Sequence, residues 1–486
     1  MSGLISKMNS KYQLKMKKFI FLTFALALTV SCSSDEDYEG LNKNPNAPAE
    51  VSDTQLFVSA TNSLIDFVES TNVNVNNFRL YAQYWTQTQY TDEANYEMQN
   101  RAIPDYMFSE FYRDILGDLD NAKKLVTDAV KIAQIELLSV YAYQMLVDAF
   151  GDVPYSEALK AGAETPNLAP AYDDDATIYA DLISRAQAAV SGLSGSGTGY
   201  TSDDLIFSGS VAHWKKFGHS LLVKLGSRLV DQNEATAKSL IESNYASGIS
   251  SNADNAYFQF ESSPPNTNPL WEDLVQSGRQ DFIPADTFVN VMNDLTDPRS
   301  DKFFDPTSLI NGAYQGGPYG VSTPFNDNSH ISQTLYAPDF RGVLMDYAEM
   351  SFILAEAARR GFSVGGTAAQ HYENGITASM SEWGVSSDLT TAYLAQDNVA
   401  FATAPGTDHE KIAKQFWIAM YNRGFEGWTV YRLFDSPTLP NAGTLDLPVP
   451  KRYTYPQSEQ TINGANVKAA NGGNDTQQTS IFWDTK

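Results

Sequence analysis

The chain of 486 residues contains a single cysteine, Cys32, and therefore cannot form an internal disulfide. Histidine is also scarce, and the two nearest of its five histidines, His213 and His219, lie six residues apart. Two metal ligands on one helix face need a spacing of three or four residues, as in the HExxH motif, which the chain lacks. We therefore predict no catalytic metal and no cofactor, while a structural calcium ion remains an open alternative.

Long apolar runs are scarce too, and the one near the start is short. It is "FIFLTFALALTV" at 19–30, which holds 12 uncharged residues and follows Lys15, Lys17 and Lys18. A helix needs about 20 apolar residues to cross a bilayer, and no run of 18 or more occurs elsewhere. A basic start, a short apolar run and small residues at its end are typical of a secretory signal peptide, predicted here for residues 1–31.

The position of Cys32 gives the lone cysteine a role. It comes directly after the apolar run, where the signal of a lipoprotein ends. A thiolate is a strong nucleophile that a lipid-transfer enzyme can modify. The attached acyl chains then anchor the new N-terminus in the membrane, with a binding free energy of about 0.8 kcal/mol per buried CH₂. We predict lipidation of Cys32, a tether over 32–52 and a domain over 53–486. Translation from Met1 or Met16 fits this pattern, and an unmodified cysteine is the alternative.

Positive charge is outnumbered, with 33 Lys and Arg against 58 Asp and Glu and a net charge of −25. Removing residues 1–31 takes away five lysines and no acid, which brings the net charge to −30. Such a surface repels phosphate backbones, so nucleic acid is excluded as a partner. The same charge argues against an electrostatic membrane patch, so attachment is expected through the lipid alone.

Catalytic motifs are missing as well. The chain has no GxSxG turn, no GxGxxG after a strand and no P-loop. The glycine-rich "GGPYG" at 316–320 lacks the Lys-Ser/Thr of a phosphate site and is interpreted as an exposed turn. The acids of "YDDDAT" at 172–177 are interpreted as residues of a helix N-terminus. A glycoside hydrolase with two carboxylates about 5 or 6.5–9.5 Å apart stays open, because 58 acids offer such pairs by chance.

Helical periodicity is present towards both ends of the chain. Apolar residues repeat every four positions over 54–68, and the stripe over 131–150 ends at Gly151, a candidate C-cap. Residues 245–340 are instead rich in Pro, Gly, Asn and aromatics. The pattern predicts a mainly α fold, with a TPR-like scaffold of helix pairs and a loop-rich irregular subdomain. The other predicted helices are 109–130, 178–190, 212–230, 284–295, 343–360, 368–383 and 410–424.

Aromatic residues are abundant, with 26 Tyr, 26 Phe and 7 Trp, and several occur in polar loops. A pyranose presents a C–H face that stacks on an aromatic ring, and neighbouring polar side chains can bind its hydroxyls. The alternative for any single ring is packing beneath a loop, because aromatics are often buried. The predicted ligand-binding residues are Tyr90, Tyr96, Trp271, Arg279, Tyr314, Tyr319 and Asn326.

Several segments stand out by their order and spacing along the chain. They are "LNKNPNAPAEV" (41–51), "YAQYWTQTQY" (81–90), "YAYQMLVDAFGDVPYSEAL" (141–159), "FSGSVAHWKKFGHSLLVKLGSRL" (207–229), "LMDYAEMSFILAEAARRG" (344–361), "RGFEGWTVYRLFDSPTL" (423–439), "RYTYPQSEQ" (452–460) and the closing "FWD". Together they resemble the SusD/RagB-like outer-membrane nutrient-binding lipoproteins, in the branch called SusD-like group 2. The acidic "SSDED" after Cys32 also resembles the export tag of surface lipoproteins in Bacteroidota-type bacteria.

The resemblance implies a binding protein rather than an enzyme. It implies lipid anchoring on the outer face of the outer membrane, and a TonB-dependent, SusC-like transporter as the partner that this protein covers as a lid. The ligand would be an oligosaccharide, with the binding aromatics in the regions 85–100 and 270–327. Some relatives bind peptides, so a peptide ligand on the same fold is the alternative.

Overall fold

Helices form most of the regular structure in the computed structural model, which describes residues 51–98, 102–160 and 166–484. The predicted signal peptide, Cys32 and tether residues 32–50 lie outside these ranges. Residues from Ser52 onward form one compact unit. Among the described residues, no helix has the length and apolar character that crossing a membrane requires.

The helices and strands follow one another along the whole unit. The helices are α1 (Asp53–Glu69), α2 (Phe78–Tyr81), α3 (Ile103–Glu110), α4 (Leu116–Leu125), α5 (Ala129–Phe150), α6 (Asp175–Gly192), α7 (Val211–Arg228), α8 (Glu234–Asn244), α9 (Pro269–Trp271), α10 (Asp286–Asp294), α11 (Ser300–Phe303), α12 (Tyr347–Arg359), α13 (Ala368–Glu382), α14 (Ser387–Leu394), α15 (Asp408–Ala419), α16 (Gly424–Phe434), α17 (Gln457–Ile462) and α18 (Gly464–Asn471). The strands are β1 (Trp85–Gln87), β2 (Val153–Pro154), β3 (Tyr172–Asp173), β4 (Ala256–Phe258), β5 (Phe282–Pro284) and β6 (Gly342–Met345).

Local capping explains where the long helices begin and end. Ser52 and Gln55 form a capping box at the start of α1, which satisfies backbone N–H groups that have no partner inside the helix. Asp128 accepts bonds from the N–H groups of Val130 and Lys131 at the start of α5. Gly151 ends α5 with a φ of +80°, so the predicted C-cap is confirmed.

Helices that follow one another in the chain pack together in pairs. Helix α5 packs against α6, α6 against α7, and α7 against α8. In the second half α12 packs against α13 and α15, and α15 packs against α16. The predicted mainly α fold with a helix-pair scaffold is therefore confirmed, and the segments with few helices lie mainly between α8 and α12.

Three predicted helices have the wrong boundaries. The helix predicted over 109–130 is broken, because a π-helical segment (Phe111–Ile115) separates α3 from α4, and residues 126–128 are not helical. The start of the helix predicted over 343–360 is a strand, since β6 pairs with β4 far away in sequence. The helix predicted over 410–424 ends at Ala419, and Asn422, with a φ of +70°, separates α15 from α16.

Tryptophans mark the centre of the core. Trp85, Trp214, Trp417 and Trp428 are among the largest fully buried side chains. The core also holds charges, since the ammonium of Lys224 on α7 contacts the carboxylates of Glu349 on α12, at 3.0 Å, and Glu426 on α16. Buried charges are stable only when they are paired, so this network ties three helices into one arrangement.

Candidate functional site

The early loop and the middle loops meet through a two-stranded sheet. Strand β1 pairs antiparallel with β5, with Thr86 opposite Ile283. The pairing continues past the strands, because the N–H of Thr88 donates to the carbonyl of Asp281 (2.9 Å) and its hydroxyl donates to the carbonyl of Gln280 (2.8 Å). Residues almost 200 positions apart in sequence are thus neighbours, as the resemblance implied for the binding region.

A third segment joins the same sheet. The N–H of Gly317 donates to the carbonyl of Pro284 (2.9 Å), and the N–H of Thr323 and the hydroxyl of Ser322 both donate to the carbonyl of Thr88 (3.1 and 2.7 Å). Three loop ends therefore lie side by side. We call this surface the loop platform and define it as residues 88–92, 277–281 and 321–328.

The "GGPYG" segment of this region corrects one interpretation of the sequence. Gly316 and Gly317 are buried against β5 rather than exposed in a turn. A Cβ atom on Gly316 would lie 2.6 Å from the carbonyl carbon of Ala285, and one on Gly317 would lie 3.1 Å from the side chain of Thr86. These glycines allow two backbones to approach closely, which is why the segment contains them.

Tyr90 is the most exposed aromatic ring of the loop platform. Its relative exposure is 67%, while its backbone has a φ of +53°. The left-handed conformation costs a residue with a side chain about 1–2 kcal/mol. Strained backbone of this kind clusters at functional sites, where the surrounding structure holds it in place. An exposed ring on a strained backbone makes Tyr90 a candidate for contact with a ligand.

The loop platform also holds exposed polar side chains. The guanidinium of Arg279, whose side chain is 61% exposed, forms an ion pair with the carboxylate of Asp281. That carboxylate also accepts a hydrogen bond from the side-chain amide of Gln89 (3.3 Å). Asn326 is exposed and lies in a short 3₁₀ turn (Phe325–Asp327) of the third segment. These side chains offer both donors and acceptors, as the binding of vicinal hydroxyl groups requires.

Tyr96 and Tyr319 do not belong to the loop platform, and the structure corrects their prediction as ligand-binding residues. They are 2% and 5% exposed, and their ring centroids lie 6.0 Å apart. The hydroxyl of Tyr96 accepts a bond from the amide of Gln83 (2.8 Å), and that of Tyr319 donates to the carbonyl of Leu80 (2.6 Å). Both rings support the loop from beneath, so they have no free face for a sugar.

Trp271 and Tyr314 are half-buried residues of the loop-rich region. Trp271 ends the short helix α9, which continues as a π-helical segment (Glu272–Gln276) towards Arg279. The hydroxyl of Tyr314 donates to the carboxylate of Asp301 (2.7 Å), and its ring centroid is 5.2 Å from that of Phe304. Burial and this carboxylate raise the pKa of Tyr314, which keeps its hydroxyl a donor.

Sequence reasoning missed the buried polar side chains that hold the early loop. The amide of Gln87 donates to the carboxylate of Glu93 (2.7 Å) and accepts from the N–H of Ala94 (2.9 Å). The amide of Asn95 donates to the carbonyl of Gly320 (2.7 Å). Amides in a loop look the same in sequence whether they face a ligand or the backbone, so only the fold distinguishes Gln87 from the exposed Gln89.

Four carboxylates line a separate cleft of about 320 Å³, and these are Asp66, Glu110, Glu272 and Asp273. Enclosure in the cleft, helped by Glu272, raises the pKa of Asp66 to about 7. Desolvation and the neighbouring Asp114 raise the pKa of Glu110 to about 7. Acids with raised pKa values are candidates for proton transfer, but structural clusters of carboxylates shift in the same way.

Another acidic cluster has a structural explanation. The carboxylate oxygens of Asp152, Asp174 and Asp175 lie within 4.8 Å of one another at the start of α6. Asp152 accepts from the N–H of Asp175 (2.9 Å), Asp174 from that of Thr177 (2.8 Å) and Asp175 from that of Phe482 (2.9 Å). The acids of "YDDDAT" thus hold a helix N-terminus, as predicted.

Comparison with known protein families identifies the family to which this chain belongs. The profile of the family described as "starch-binding associating with outer membrane", SusD-like group 2, matches residues 45–456. The chain belongs to the SusD-like family. No curated protein sequence matches it. The family is defined by binding and by association with the outer membrane, so this is a carbohydrate-binding family and not one of enzymes.

Solved structures agree with this fold. A chitin-binding protein has 23% sequence identity and a TM-score of 0.79, with 90% of this chain and 100% of that chain covered. A chitin-binding SusD homolog from Flavobacterium johnsoniae has 23% identity and a TM-score of 0.75, covering 88% and 99%. A SusD homolog from Bacteroides ovatus has 24% identity and a TM-score of 0.76, covering 89% and 99%. At these identities, the similarity is one of fold.

Proposed function

We propose that this SusD-like protein is a lipid-anchored receptor on the cell surface, which binds oligosaccharides and passes them to a TonB-dependent, SusC-like transporter as its lid. One observation carries the ligand class: the ring of Tyr90 is 67% exposed on a strained backbone, on the loop platform that also holds the ion pair of Arg279 and Asp281. The family description and the chitin-binding relatives support the same class.

The mechanism would be binding and transfer without breaking a bond. A pyranose would stack on Tyr90, while Arg279, Asp281 and Asn326 would bind its hydroxyls. For the lid to close on a filled site, the ligand must bind the closed state more tightly than the open one, because equal affinity for both states shifts nothing. Hydroxyls that contact the transporter as well as this protein would supply that difference.

A binding titration tests the ligand class. Residues 33–486 would be titrated calorimetrically with malto-oligosaccharides, chito-oligosaccharides and a panel of peptides. We expect binding of one of the sugars, about tenfold weaker in Tyr90→Ala and largely retained in Tyr90→Phe, because stacking needs a ring and is worth about 0.5–1.5 kcal/mol.

Two results would contradict this proposal. Equal affinity of Tyr90→Ala and the parent protein for the sugar would remove the loop platform as the site. Binding of peptides alone would keep the receptor mechanism and replace the ligand class, which is the alternative that the sequence left open.

A further inference from the structure

A pocket of about 630 Å³ is lined by none of the predicted ligand-binding residues. It is bounded by the segment between β4 and β6 and by the residues that follow α13 and α15. Its size falls within the range of about 300–1,000 Å³ that is usual for small-molecule sites. The residues that matter for its chemistry are Lys302, Asp339, Phe340, Arg341, Trp383 and Arg423.

Trp383 gives the pocket a fixed aromatic wall. The side chain is half-buried, so part of the ring stays accessible. Its centroid lies 4.8 Å from that of Phe303 in an edge-to-face contact, and 6.2 Å from that of Phe340 with 32° between the planes. Rings packed on two sides cannot rotate freely, so this surface is ready to stack on the C–H face of a ligand without further ordering.

Two cationic side chains complete the wall. The guanidinium of Arg341 lies 4.2 Å from the ring centroid of Tyr257 and forms an ion pair with Glu382, yet its side chain is 39% exposed. The ammonium of Lys302, also in the wall, forms no ion pair or hydrogen bond with a described residue. Both can therefore donate to a ligand oxygen.

Arg423 adds a fixed cationic group to the wall. It is 5% exposed and lines the pocket, and one terminal nitrogen donates to the carboxylate of Glu349 (2.6 Å) and the carbonyl of Leu344 (3.0 Å). Its Nε is buried and has no acceptor among the described residues. Because this nitrogen is shielded from solvent, Arg423 contributes a fixed part of the wall and not a donor that a ligand reaches.

The pocket suits a neutral ligand better than a charged one or a peptide strand. Arg341 is balanced by Glu382, and Arg423 by Asp346 and Glu349, so the wall has no strong excess of charge. An extended peptide would need a free strand edge. The N–H of Val343 on β6, however, already donates to the carboxylate of Glu69 (3.3 Å).

We propose that this pocket is a second saccharide-binding site, separate from the loop platform. A pyranose would stack on Trp383, and its hydroxyls would bind Arg341, Lys302 and Asp339. The ligand class rests on the proposed function, but the site and its residues do not depend on Tyr90. Two sites on one receptor would bind a long glycan at two points, which raises its overall affinity.

The indole N–H signal of Trp383 tests this site directly. Residues 33–486 would be labelled with ¹⁵N, and the signal would be assigned from its loss in Trp383→Phe. Maltose and N-acetylglucosamine dimers and trimers would be added to the parent protein, Tyr90→Ala, Lys302→Ala and the control Leu389→Ala, an exposed position on α14. We expect one of these sugars to shift the signal in the parent, Tyr90→Ala and control proteins, with affinity about tenfold weaker in Lys302→Ala.

The outcomes separate the two sites. If no sugar shifts the Trp383 signal while calorimetry shows binding that depends on Tyr90, the second site is overturned and the loop platform stands. If the shift disappears in Tyr90→Ala, the pocket is not an independent site. If the shift persists and calorimetry shows no dependence on Tyr90, the pocket stands and the loop platform fails. A shift with peptides alone overturns the saccharide assignment.

Discussion

Tyr90 and Tyr96 show how differently two similar residues can be used. Both have left-handed backbones, with φ values of +53° and +60°. Tyr90 is 67% exposed and gains little from packing, whereas Tyr96 is 2% exposed and packs against Tyr81 and Tyr319. The strain at Tyr96 is offset by burial of its ring, whereas Tyr90 makes no side-chain hydrogen bond or ring contact with a described residue that would offset its strain.

Glycine substitution at these two positions should therefore have opposite effects. Tyr90→Gly relieves about 1–2 kcal/mol of strain against an entropy cost of about 0.5–1 kcal/mol, so its free energy of unfolding should stay equal or rise slightly. Tyr96→Gly also loses a buried ring and should be less stable by about 2–4 kcal/mol. Urea unfolding measures both. A loss of stability in Tyr90→Gly would show that its ring supports the fold, and would weaken its assignment to the ligand.

At the scale of elements, the close crossing of the 316–320 segment over β5 positions the loop platform. The bond from the N–H of Asp286 to the carbonyl of Gly317 (2.8 Å) closes this crossing on one side. Side chains larger than hydrogen have no room at Gly316, whose neighbours are backbone atoms that cannot turn away.

Gly316→Ala should destabilise the protein by about 1–3 kcal/mol, because its Cβ would lie 2.6 Å from the backbone of Ala285. Gly464→Ala is the matched control. That glycine begins α18 and has no heavy atom within 4 Å of the added Cβ, so the change should be neutral or stabilise by up to about 1 kcal/mol. Thermal unfolding compares them. Equal melting temperatures would show that the crossing tolerates a side chain.

The helices α7, α12 and α16 are joined by the buried ammonium of Lys224. Lys224→Met keeps the length of the side chain but leaves Glu349 and Glu426 with one cation fewer. It should therefore lower the free energy of unfolding by about 3–5 kcal/mol. Lys238→Met is the control, because Lys238 is exposed and its pair with Glu242 is worth less than about 0.5 kcal/mol. Chemical denaturation at neutral pH measures both. Similar stability of the two variants would mean that the buried network adds nothing.

For the whole molecule, buried acids set the response to low pH. Burial acts to raise the pKa of Glu349, but Lys224 and Arg423 overcome it and lower the pKa to about 2. At Glu356, burial also acts to raise the pKa, but hydrogen bonds from Arg359 and His409 outweigh it. The pKa of Glu356 is therefore lowered to about 2 as well. Both values lie below the ordinary 4.5, so these acids stabilise the fold above pH 4.5 and lose that contribution as the pH falls towards 2.

The free energy of unfolding should therefore fall between about pH 4.5 and pH 2, and Glu356→Gln should show a smaller fall over that window because its side chain cannot take up a proton. Glu373→Gln, at an exposed position of α13, serves as the control and should follow the parent protein. Denaturation series at several pH values give the slopes. Identical slopes for Glu356→Gln and the parent would contradict the role of this carboxylate.

Membrane attachment is also a property of the whole molecule. We predict that Cys32→Ser, expressed in the native host, leaves the unfolding transition of the domain unchanged and moves the protein from the membrane fraction to the soluble one. The reason is that serine lacks the thiol that accepts the lipid. Fractionation followed by immunoblotting measures this, with Ser33→Ala as the control. A serine variant that stayed with the membranes would contradict the anchor.

The sequence alone determined the features that depend on local order and on composition. Period-four apolar residues specify α1 without knowledge of its partners, Gly151 closes α5 through its own backbone freedom, and the acids of "YDDDAT" cap the helix that they precede. The order of the quoted segments was enough for the family. Net charge argued against nucleic acid as a partner, and the missing motifs argued against most catalysis, both as predictions from the sequence.

Only the tertiary structure decided which residues face a ligand. Tyr90 and Tyr96 occur in the same polar loop, and their exposure differs because Tyr319, more than 200 positions away, covers one and not the other. Gly316 seemed to lie in an exposed turn because β5, which buries it, is distant in sequence. The pocket at Trp383 is likewise built from segments that meet only in the fold. Burial depends on long-range contacts, and no local pattern records them.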